Sequence, residues 1–350
     1  MKPLTQEKSK RAMTSARRRA PARESVKGAL RAPLPPFIEP CLATLVAKPP
    51  EGDEWVHEIK FDGYRIEARI DGSDVTLLTR NGLDWTSRFG TIPDLLRHLH
   101  RGTALIDGEL VVEDSKGHSS FTALAEALKR GRAEKFVLQC FDLLYLDGVN
   151  LMGAVLTERK AILEQLLGRL SKTGQIRFSE HLAVNGARML AEACRLGLEG
   201  IISKRADRPY RPGRHDDWLK SKCIQTDEFV IAGYVESTAA ANAIGALVLG
   251  YYDRKRFIYA GRVGTGFTHR SAADLHRLLK PLRVASAPVA SQLTGLQRRG
   301  VVWVRPDLVA QVEYRAWTAD NLLRHASFKG LREDKPARDV KRPSVKMQKR

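Results

Sequence analysis

The chain is predicted to be an α+β protein: a mixed, mostly antiparallel sheet with helices packed on it, followed by a smaller β-rich unit. Three observations predict this. Residues 54–80 alternate polar and apolar side chains in short runs joined by tight turns. Two later stretches switch to helical spacing: 158–170, with Ile162, Leu163, Leu166, Leu167 and Leu170 on one face, and 187–198. After about residue 225 the chain becomes a series of short β-type runs with one helical interval.

Taken in order, 55–62 is the first strand. One parity holds Trp55, His57, Ile59 and Phe61; the other holds Val56, Glu58, Lys60 and Asp62. A strand sends these sets to opposite faces, so an acid, a lysine and an acid line up together. Gly63 breaks the run. Ile66, Ala68 and Ile70 then oppose Arg65, Glu67 and Arg69, and Asp71-Gly72 is a hairpin signal. Further strands are predicted at 75–79, 104–112, 136–146, 200–204 and 218–223. Beyond 225, β runs at 228–235, 245–252, 257–263 and 309–317, with a helix over 269–282, suit a small barrel such as an OB-fold. The boundary falls near 224–227. Two domains, 35–224 and 225–337, are then flanked by basic tails at 1–34 and 338–350. Two domains also suit 350 residues at roughly 100–200 residues each.

At 43% hydrophobic residues, the chain can bury a sizeable core. Lys and Arg number 59 against 40 Asp and Glu, a net charge of +19, and nucleic acid is the default partner for such a balance. Residues 1–34 carry ten basic and two acidic residues, including Arg17, Arg18 and Arg19, and residues 331–350 carry eight and three. The core between them is left with +6, so charge alone does not make the folded part a nucleic-acid binder. The N-terminal tail reads as a solvated extension, as an arm that grips phosphates, or as an Arg-rich transit peptide. No run of about 18 apolar residues is present, which excludes a transmembrane helix, and no secretory leader is visible. Cys41, Cys140, Cys194 and Cys223 are scattered, fit neither a disulfide framework nor a zinc site, and are expected to be reduced cytosolic thiols.

Four constellations carry chemistry. In Glu58-Ile59-Lys60-Phe61-Asp62-Gly63-Tyr64-Arg65, a lysine between carboxylates is a nucleophile candidate if its pKa is lowered, and otherwise an ion-paired surface lysine. Asp107-Gly108-Glu109 and Leu198-Glu199-Gly200 set carboxylates among apolar residues, where burial is costly unless they are paired or hold a metal such as Mg²⁺. Lys220 and Lys222 share a strand face, and an anion such as phosphate relieves their repulsion. The glycine-rich run 261–267 lacks a P-loop pattern and reads as a turn, and the nine histidines form no catalytic or metal motif.

In order, these pieces resemble the covalent nucleotidyltransferase superfamily of ATP-dependent ligases and capping enzymes. Lys60-Phe61-Asp62-Gly63 is similar to its K-x-D-G nucleophile motif and Thr79-Arg80-Asn81-Gly82 to the next. Asp107-Gly108-Glu109, Phe141-Asp142-Leu143, Glu199–Lys204, Lys220-Ser221-Lys222 and Arg332-Glu333-Asp334-Lys335 follow in sequence. The likeness covers about residues 36–340 and is strongest to the ligase module of bacterial ligase D, the end-joining enzyme. With no room for polymerase or phosphoesterase modules, the chain looks like a stand-alone paralogue.

The resemblance implies an ATP-grasp-like nucleotidyltransferase domain with a C-terminal OB-fold barrel, using ATP and Mg²⁺ or Mn²⁺. Lys60 would become lysyl-AMP, and nicked or broken duplex DNA would be sealed in repair. Glu109 and Glu199 would hold the metal, with Glu109 also near the ribose. Phe141 would stack on adenine, and the backbone near Glu58 would read its edge. Arg65 and Arg80 would contact sugar or nick phosphate, and Lys220 and Lys222 the α-phosphate. Arg332 and Lys335 would orient pyrophosphate when the second domain closes. It further implies a bacterial cytoplasmic, nucleoid-associated monomer, with Ku as an end-binding partner. RNA ligation, GTP-dependent capping and a non-enzymatic DNA-binding protein are the rival readings.

Overall fold

Strand β3 (Trp55–Ile59) and strand β4 (Tyr64–Asp71), adjacent in the chain, enter different sheets, where the sequence suggests one. The computed structural model describes residues 26–168, 174–290, 292–318 and 320–342. Before these strands come β1 (Leu30–Arg31) and β2 (Cys41–Leu45). After them come β5 (Asp74–Thr79), α1 (Ile92–Leu99), β6 (Thr103–Val112), α2 (Phe121–Arg130), β7 (Phe136–Leu146) and β8 (Val149–Asn150). Then follow α3 (Leu156–Leu167), β9 (Ile176–Phe178), α4 (Gly186–Arg195), β10 (Gly200–Arg205) and β11 (Gly213–Lys222).

A seven-stranded sheet runs β1-β8-β7-β6-β4-β5, with β9 beside β7. A four-stranded sheet runs β2-β11-β10-β3. The crossing between them lies at Gly63, where a Cβ would stand 2.2 Å from the Leu110 carbonyl oxygen. Only glycine lets the chain pass that close to β6. Ile66, Ala68 and Ile70, expected on one face of β4, are all fully buried. They join Leu96, Leu124, Leu163 and Leu167 from α1, α2 and α3 in one apolar cluster. The opposite face of the large sheet meets the small one through Leu105, Phe141, Tyr145, Tyr210 and Trp218. With a layer on each side, β7 is buried at every position, so its sequence reads as nearly continuous apolar residues rather than alternation.

The second domain contains β12 (Gln225–Glu236), β13 (Ile244–Asp253), β14 (Arg256–Val263), α5 (His269–Leu279), α6 (Gly295–Arg298) and β15 (Val301–Trp303). It ends with β16 (Val309–Tyr314), β17 (Ala316–Trp317), β18 (Leu323–Arg324) and β19 (Ser327–Arg332). Its sheet runs β14-β13-β12-β16-β19, with β15 on β12. Thr268 and Ser271 form a capping box at the start of α5, whose Ala272, Leu275 and Leu279 pack into the sheet's core. Among the described residues no ladder joins β14 to β19, so the sheet stays open where a closed barrel was expected; OB-folds are themselves partly open.

Three further expectations change. Residues 1–25 of the N-terminal tail lie outside the described residues, but 26–34 are part of the fold. Val26 is 4% exposed, Leu30 pairs with Asn150, and the Tyr145 hydroxyl donates to the Ala32 carbonyl at 2.8 Å. Charge counting hid this, because one apolar residue and a short backbone pairing suffice to anchor the segment. At the other end, the tail predicted from 338 begins inside the fold: Val340 is 1% exposed and accepts from the Tyr252 amide at 2.8 Å. Residues 343–350 lie outside the described residues. Finally, Cys194 and Cys223 are not reduced thiols but a disulfide, their Cα atoms 5.2 Å apart. They are 29 residues apart in sequence, and the approach of α4 to the end of β11 brings them together. Cys41 and Cys140 remain free and buried. Among the described residues no helix is long and apolar enough to cross a membrane.

Candidate active site

A cleft of about 1070 Å³ opens between the small sheet, one face of the large sheet and the second domain. Lys60, Glu58, Arg65, Arg80, Glu109, Phe141, Glu199, Lys220, Lys222, Arg332 and Lys335 all line it. Residues that span some 275 positions of sequence thus share one cavity.

Strand register builds the floor. Gly200 pairs with Lys222, and Lys60, just past β3, donates its amide to the Gly200 carbonyl at 3.0 Å. One step along, Glu58, Ile202 and Lys220 are directly cross-paired. One step further, Lys204 pairs with Trp218. Cross-strand partners share a face, so Lys60 sits at the cationic end of the floor and Lys204 and Trp218 at the aromatic end. Gly200 has φ of +150°, and a Cβ there would lie 2.1 Å from the Ser221 carbonyl oxygen. The residue after Glu199 is therefore restricted to glycine.

The Lys60 ammonium donates to Glu199 Oε2 at 2.7 Å. Burial alone would lower its pKa, but the charges of Glu199, Asp62 and Glu109 outweigh burial and raise it. The nucleophile candidate is protonated in this state, opposite to the lowered pKa that reactivity requires. The carboxylates carry the cost of crowding. Burial pushes Glu109 up to about 7, and burial together with Glu199 pushes Asp62 up to about 6.

The two lysines of β11 differ. Lys222 donates to the Thr226 carbonyl and pairs with Asp227 at 3.2 Å. No hydrogen bond or ion pair occupies Lys220 among the described residues. Burial, Lys222 and Lys60 lower its pKa to about 7. The shared anion expected between them is thus matched by one committed and one open cation. Arg65 is also committed: Nη2 lies 2.6 Å from Asp107 Oδ2, and Tyr210 donates to that same oxygen at 2.8 Å. Arg80 makes no ion pair among the described residues.

Phe141 is 7% exposed, and its ring carries two cations, Arg65 Cζ at 4.5 Å and Lys204 Nζ at 4.4 Å from the centroid. A base stacking there competes with them.

The second domain supplies the roof. The Arg332 guanidinium lies over Tyr64 and Phe121 at 4.7 and 4.8 Å, donates to the Gly63 carbonyl at 3.2 Å, and is gripped by Asp334 at 2.8 and 2.9 Å. Asn81 Nδ2 donates to the Asp334 carbonyl at 2.6 Å. Lys335 pairs with Glu228, whose carboxyl is held well below its usual range by Lys335 and Arg332 despite burial. The domains are closed on each other at the motif expected to act on closure.

Sequence reading missed two lysines that organise the far end of the floor. Lys160 Nζ donates to Glu58 Oε1 at 2.9 Å, the Ser179 carbonyl at 2.9 Å and the Phe141 carbonyl at 3.3 Å. Lys204 Nζ also stands 2.9 Å from Glu58 Oε1 but outside hydrogen-bond geometry, and it lies 4.1 Å from the Trp218 centroid. Despite burial, these two cations keep Glu58 ionised below its usual pKa. Lys160 lies in a helix 102 residues away and carries no local signal. Lys204 was visible only as the end of a motif.

No group of three or more His, Cys, Asp or Glu suited to a metal occurs among the described residues. Glu109 and Glu199 nevertheless fit a Mg²⁺-type ion, which is commonly held by one or two carboxylates plus substrate phosphates rather than by an all-protein cage. Both carboxylates line the same cleft as the phosphate-suited cation Lys220.

Comparison with known proteins places the chain in a family. The family model for the ATP dependent DNA ligase domain matches residues 40–222, and that for the ATP dependent DNA ligase C terminal region matches 240–335. The chain is 45% identical over 324 residues to the multifunctional non-homologous end joining protein LigD of Pseudomonas aeruginosa, covering 91% of this chain and 38% of that protein. It is 36% identical over 294 residues to the multifunctional non-homologous end joining DNA repair protein LigD of Mycobacterium tuberculosis, covering 83% and 38%. It thus spans under half the length of these relatives. A solved structure of mycobacterial DNA ligase D complexed with ATP and MES superimposes with a TM-score of 0.66 at 35% identity, covering 87% of this chain and 97% of that one. By these matches and by its cleft, the chain belongs to the family of ATP-dependent DNA ligases.

Proposed function

We propose that this protein seals 5′-phosphate/3′-hydroxyl breaks in duplex DNA through an adenylate carried on Lys60. The observation that carries the proposal is the Lys60–Glu199 pair, set in a cleft with an open cation at Lys220 on the floor and Arg332 in the roof. Lys60 Nζ attacks the α-phosphorus of ATP. The ammonium first loses one proton to solvent, the free amine forms a P–N bond as the bond to the pyrophosphate oxygen breaks, and Nζ gives up a second proton to solvent or the departing pyrophosphate. The 5′-phosphate of the break then displaces Lys60 to form an adenylated DNA end, and the 3′-hydroxyl attacks that phosphate and releases AMP. Phosphoryl transfer needs positioning and charge neutralisation more than covalent help from the protein.

Glu109 and Glu199 would hold Mg²⁺ or Mn²⁺, which supplies charge neutralisation at the phosphates. Once the Glu199 carboxylate is engaged elsewhere, its hold on the Lys60 proton is lost, and burial then favours the neutral amine. Lys220 would meet the α-phosphate, and Lys222 would support it from its Asp227 anchor. Arg80 would meet the sugar or the nick phosphate, while Arg65, fixed on Asp107, would shape the wall beside the ribose. Phe141 would stack on adenine once Lys204 withdraws from its ring, with the backbone near Glu58 at the base edge. Arg332 and Lys335 would orient pyrophosphate.

The likeness to proteins named for non-homologous end joining supports a role in that repair. We further propose that the protein acts in the bacterial cytoplasm, at the nucleoid, as a monomer served by Ku. The decisive experiment offers purified protein, Mg²⁺ and labelled ATP or GTP to singly nicked duplexes of DNA or RNA. Sealing of nicked DNA with ATP supports the proposal. Sealing of nicked RNA alone, or a guanylate adduct, replaces it.

A further inference from the structure

The Cys194–Cys223 bridge stands beside the active site rather than in a remote loop. Cys194 lies at the exposed end of α4, and Cys223, half-buried, directly follows β11. The Cys223 amide donates to the Glu199 carbonyl at 2.9 Å. Glu199 is the residue that grips the Lys60 ammonium at 2.7 Å, and the next carbonyl, that of Gly200, accepts from the Lys60 amide. On the other side, Lys222 precedes Cys223 and reaches across to Thr226 and Asp227 in β12. One residue, Ile224, separates Cys223 from the first strand of the second domain. The bridge therefore ties α4 to the interdomain linker, and the Cys223 amide ties that linker to the loop that presents Glu199.

Packing holds one side of the bridge and not the other. Ala193, next to Cys194, is 2% exposed, whereas Leu196 and Ile224, which flank the Glu199 loop and the linker, are 50% and 42% exposed. A segment with few buried apolar contacts opens at low cost unless a covalent tie holds it. The other two cysteines cannot compete for reductant or oxidant: both are buried, and burial pushes the Cys41 thiol up to about 12.

We propose that Cys194–Cys223 is a thiol–disulfide exchange site whose oxidation state sets the efficiency of nucleotidyl transfer at Lys60. A thiolate of a small dithiol reductant attacks the exposed Cys194 sulfur. The S–S bond breaks, and Cys223 leaves as a thiolate and takes up a proton. The reductant's second thiol then displaces Cys194, so the reductant ends as its own disulfide and the protein gains two electrons and two protons. In the reduced protein the Glu199 loop and the linker lose their covalent link to α4, and Glu199 and Lys222 are positioned less tightly. Small misplacements of groups that position a reacting phosphate cost large rate factors.

The activity readout rests on the ligase reading; a second readout does not. The full chain is prepared oxidised and reduced, with its redox state verified by alkylation and mass spectrometry of Cys194 and Cys223. Adenylate transfer to Lys60 is timed, and cleavage in the 220–226 linker by a limiting protease is followed in parallel. Reduction is expected to slow adenylation by on the order of tenfold and to speed linker cleavage. The double variant C194S/C223S is expected to behave like the reduced wild type and to ignore reductant. Equal adenylation and cleavage rates in verified oxidised and reduced protein overturn the proposal, as does alkylation of both cysteines without reductant. Absence of any adduct in both states, with cleavage still redox-dependent, counts against the ligase reading and leaves the structural coupling standing.

Discussion

Glu199 Oε2 lies 2.7 Å from Lys60 Nζ, although 139 residues separate them in the chain. The Glu199 carboxylate is the strongest of the charges that raise the Lys60 pKa. In the proposed reaction it would give up that hold on meeting a metal ion, which would link metal binding to activation of the amine through one side chain.

Lys60→Ala is expected to abolish the covalent adenylate, read as the loss of an AMP mass increment on the intact protein. Glu199→Gln keeps the amine but removes its strongest ion-pair partner. The adduct rate should fall on the order of 10²-fold through lost electrostatic positioning. Its pH profile should also move to lower pH, because the pKa of Lys60 is no longer raised by that charge. An adenylate retained in Lys60→Ala refutes the assignment of the nucleophile.

Glu109 titrates near 7 against an ordinary value of 4.5, because burial disfavours its charged form. Between those values the folded state binds more protons than the unfolded one, so this group lowers stability as pH rises from about 4.5 to about 7. Glu109→Gln is therefore expected to be more stable than wild type at pH 8, by on the order of 3 kcal/mol, and to melt higher, while losing adenylation. Mg²⁺ should raise the melting temperature of wild type more than that of the variant. Calorimetry across pH with and without Mg²⁺ checks both; a variant less stable than wild type at pH 8 contradicts the account.

Arg332 reaches the cleft only because the domains are closed, with its guanidinium over Tyr64 and Phe121 and in contact with Gly63. If Arg332 orients pyrophosphate as proposed, Arg332→Ala should lower adenylation by at least about tenfold, through loss of a cation beside the leaving group. Sealing of a DNA substrate already carrying the 5′-adenylate should fall far less. Single-turnover assays of the two steps separate these outcomes, and equal losses in both would show that Arg332 serves the whole fold.

Residues 1–25 hold eight basic and two acidic residues. Deleting them should leave adenylation intact, weaken binding to nicked duplex and flatten the dependence of affinity on salt, as the loss of phosphate contacts requires. Deleting through residue 34 should in addition lower the melting temperature, because Val26 and the Leu30–Asn150 pairing go with it. Salt titrations and thermal melts of the two truncations test this; identical melts would place 26–34 outside the stabilising core.

Much of the site was legible in the linear sequence, because its residues lie in short runs of fixed chemistry. Lys60 with its flanking acids, Glu109, Glu199 and the Lys220–Lys222 pair could be named from alternation, charge and the order of motifs. Most of the strands and the helices α3, α4 and α5 followed from periodicity, with boundaries moved by a few residues, whereas α1, α2, β2 and β19 were not predicted. Less legible were features made by two distant segments meeting. Lys160 in α3 has the pattern of an ordinary helical lysine, yet it is fully buried against Glu58. The disulfide between Cys194 and Cys223 has no spacing that announces it.

What the amino-acid order determined by itself was local: which residues alternate, which carry charge beside a nucleophilic amine, and which stretch can bury an apolar face. Whether Lys60 is protonated, which of the two β11 lysines stays open, and which cysteines join were decided by the tertiary structure alone. Those properties depend on distances of a few ångströms between groups far apart in the chain. Coulomb energies and burial costs at such distances are set by packing, which no local pattern encodes.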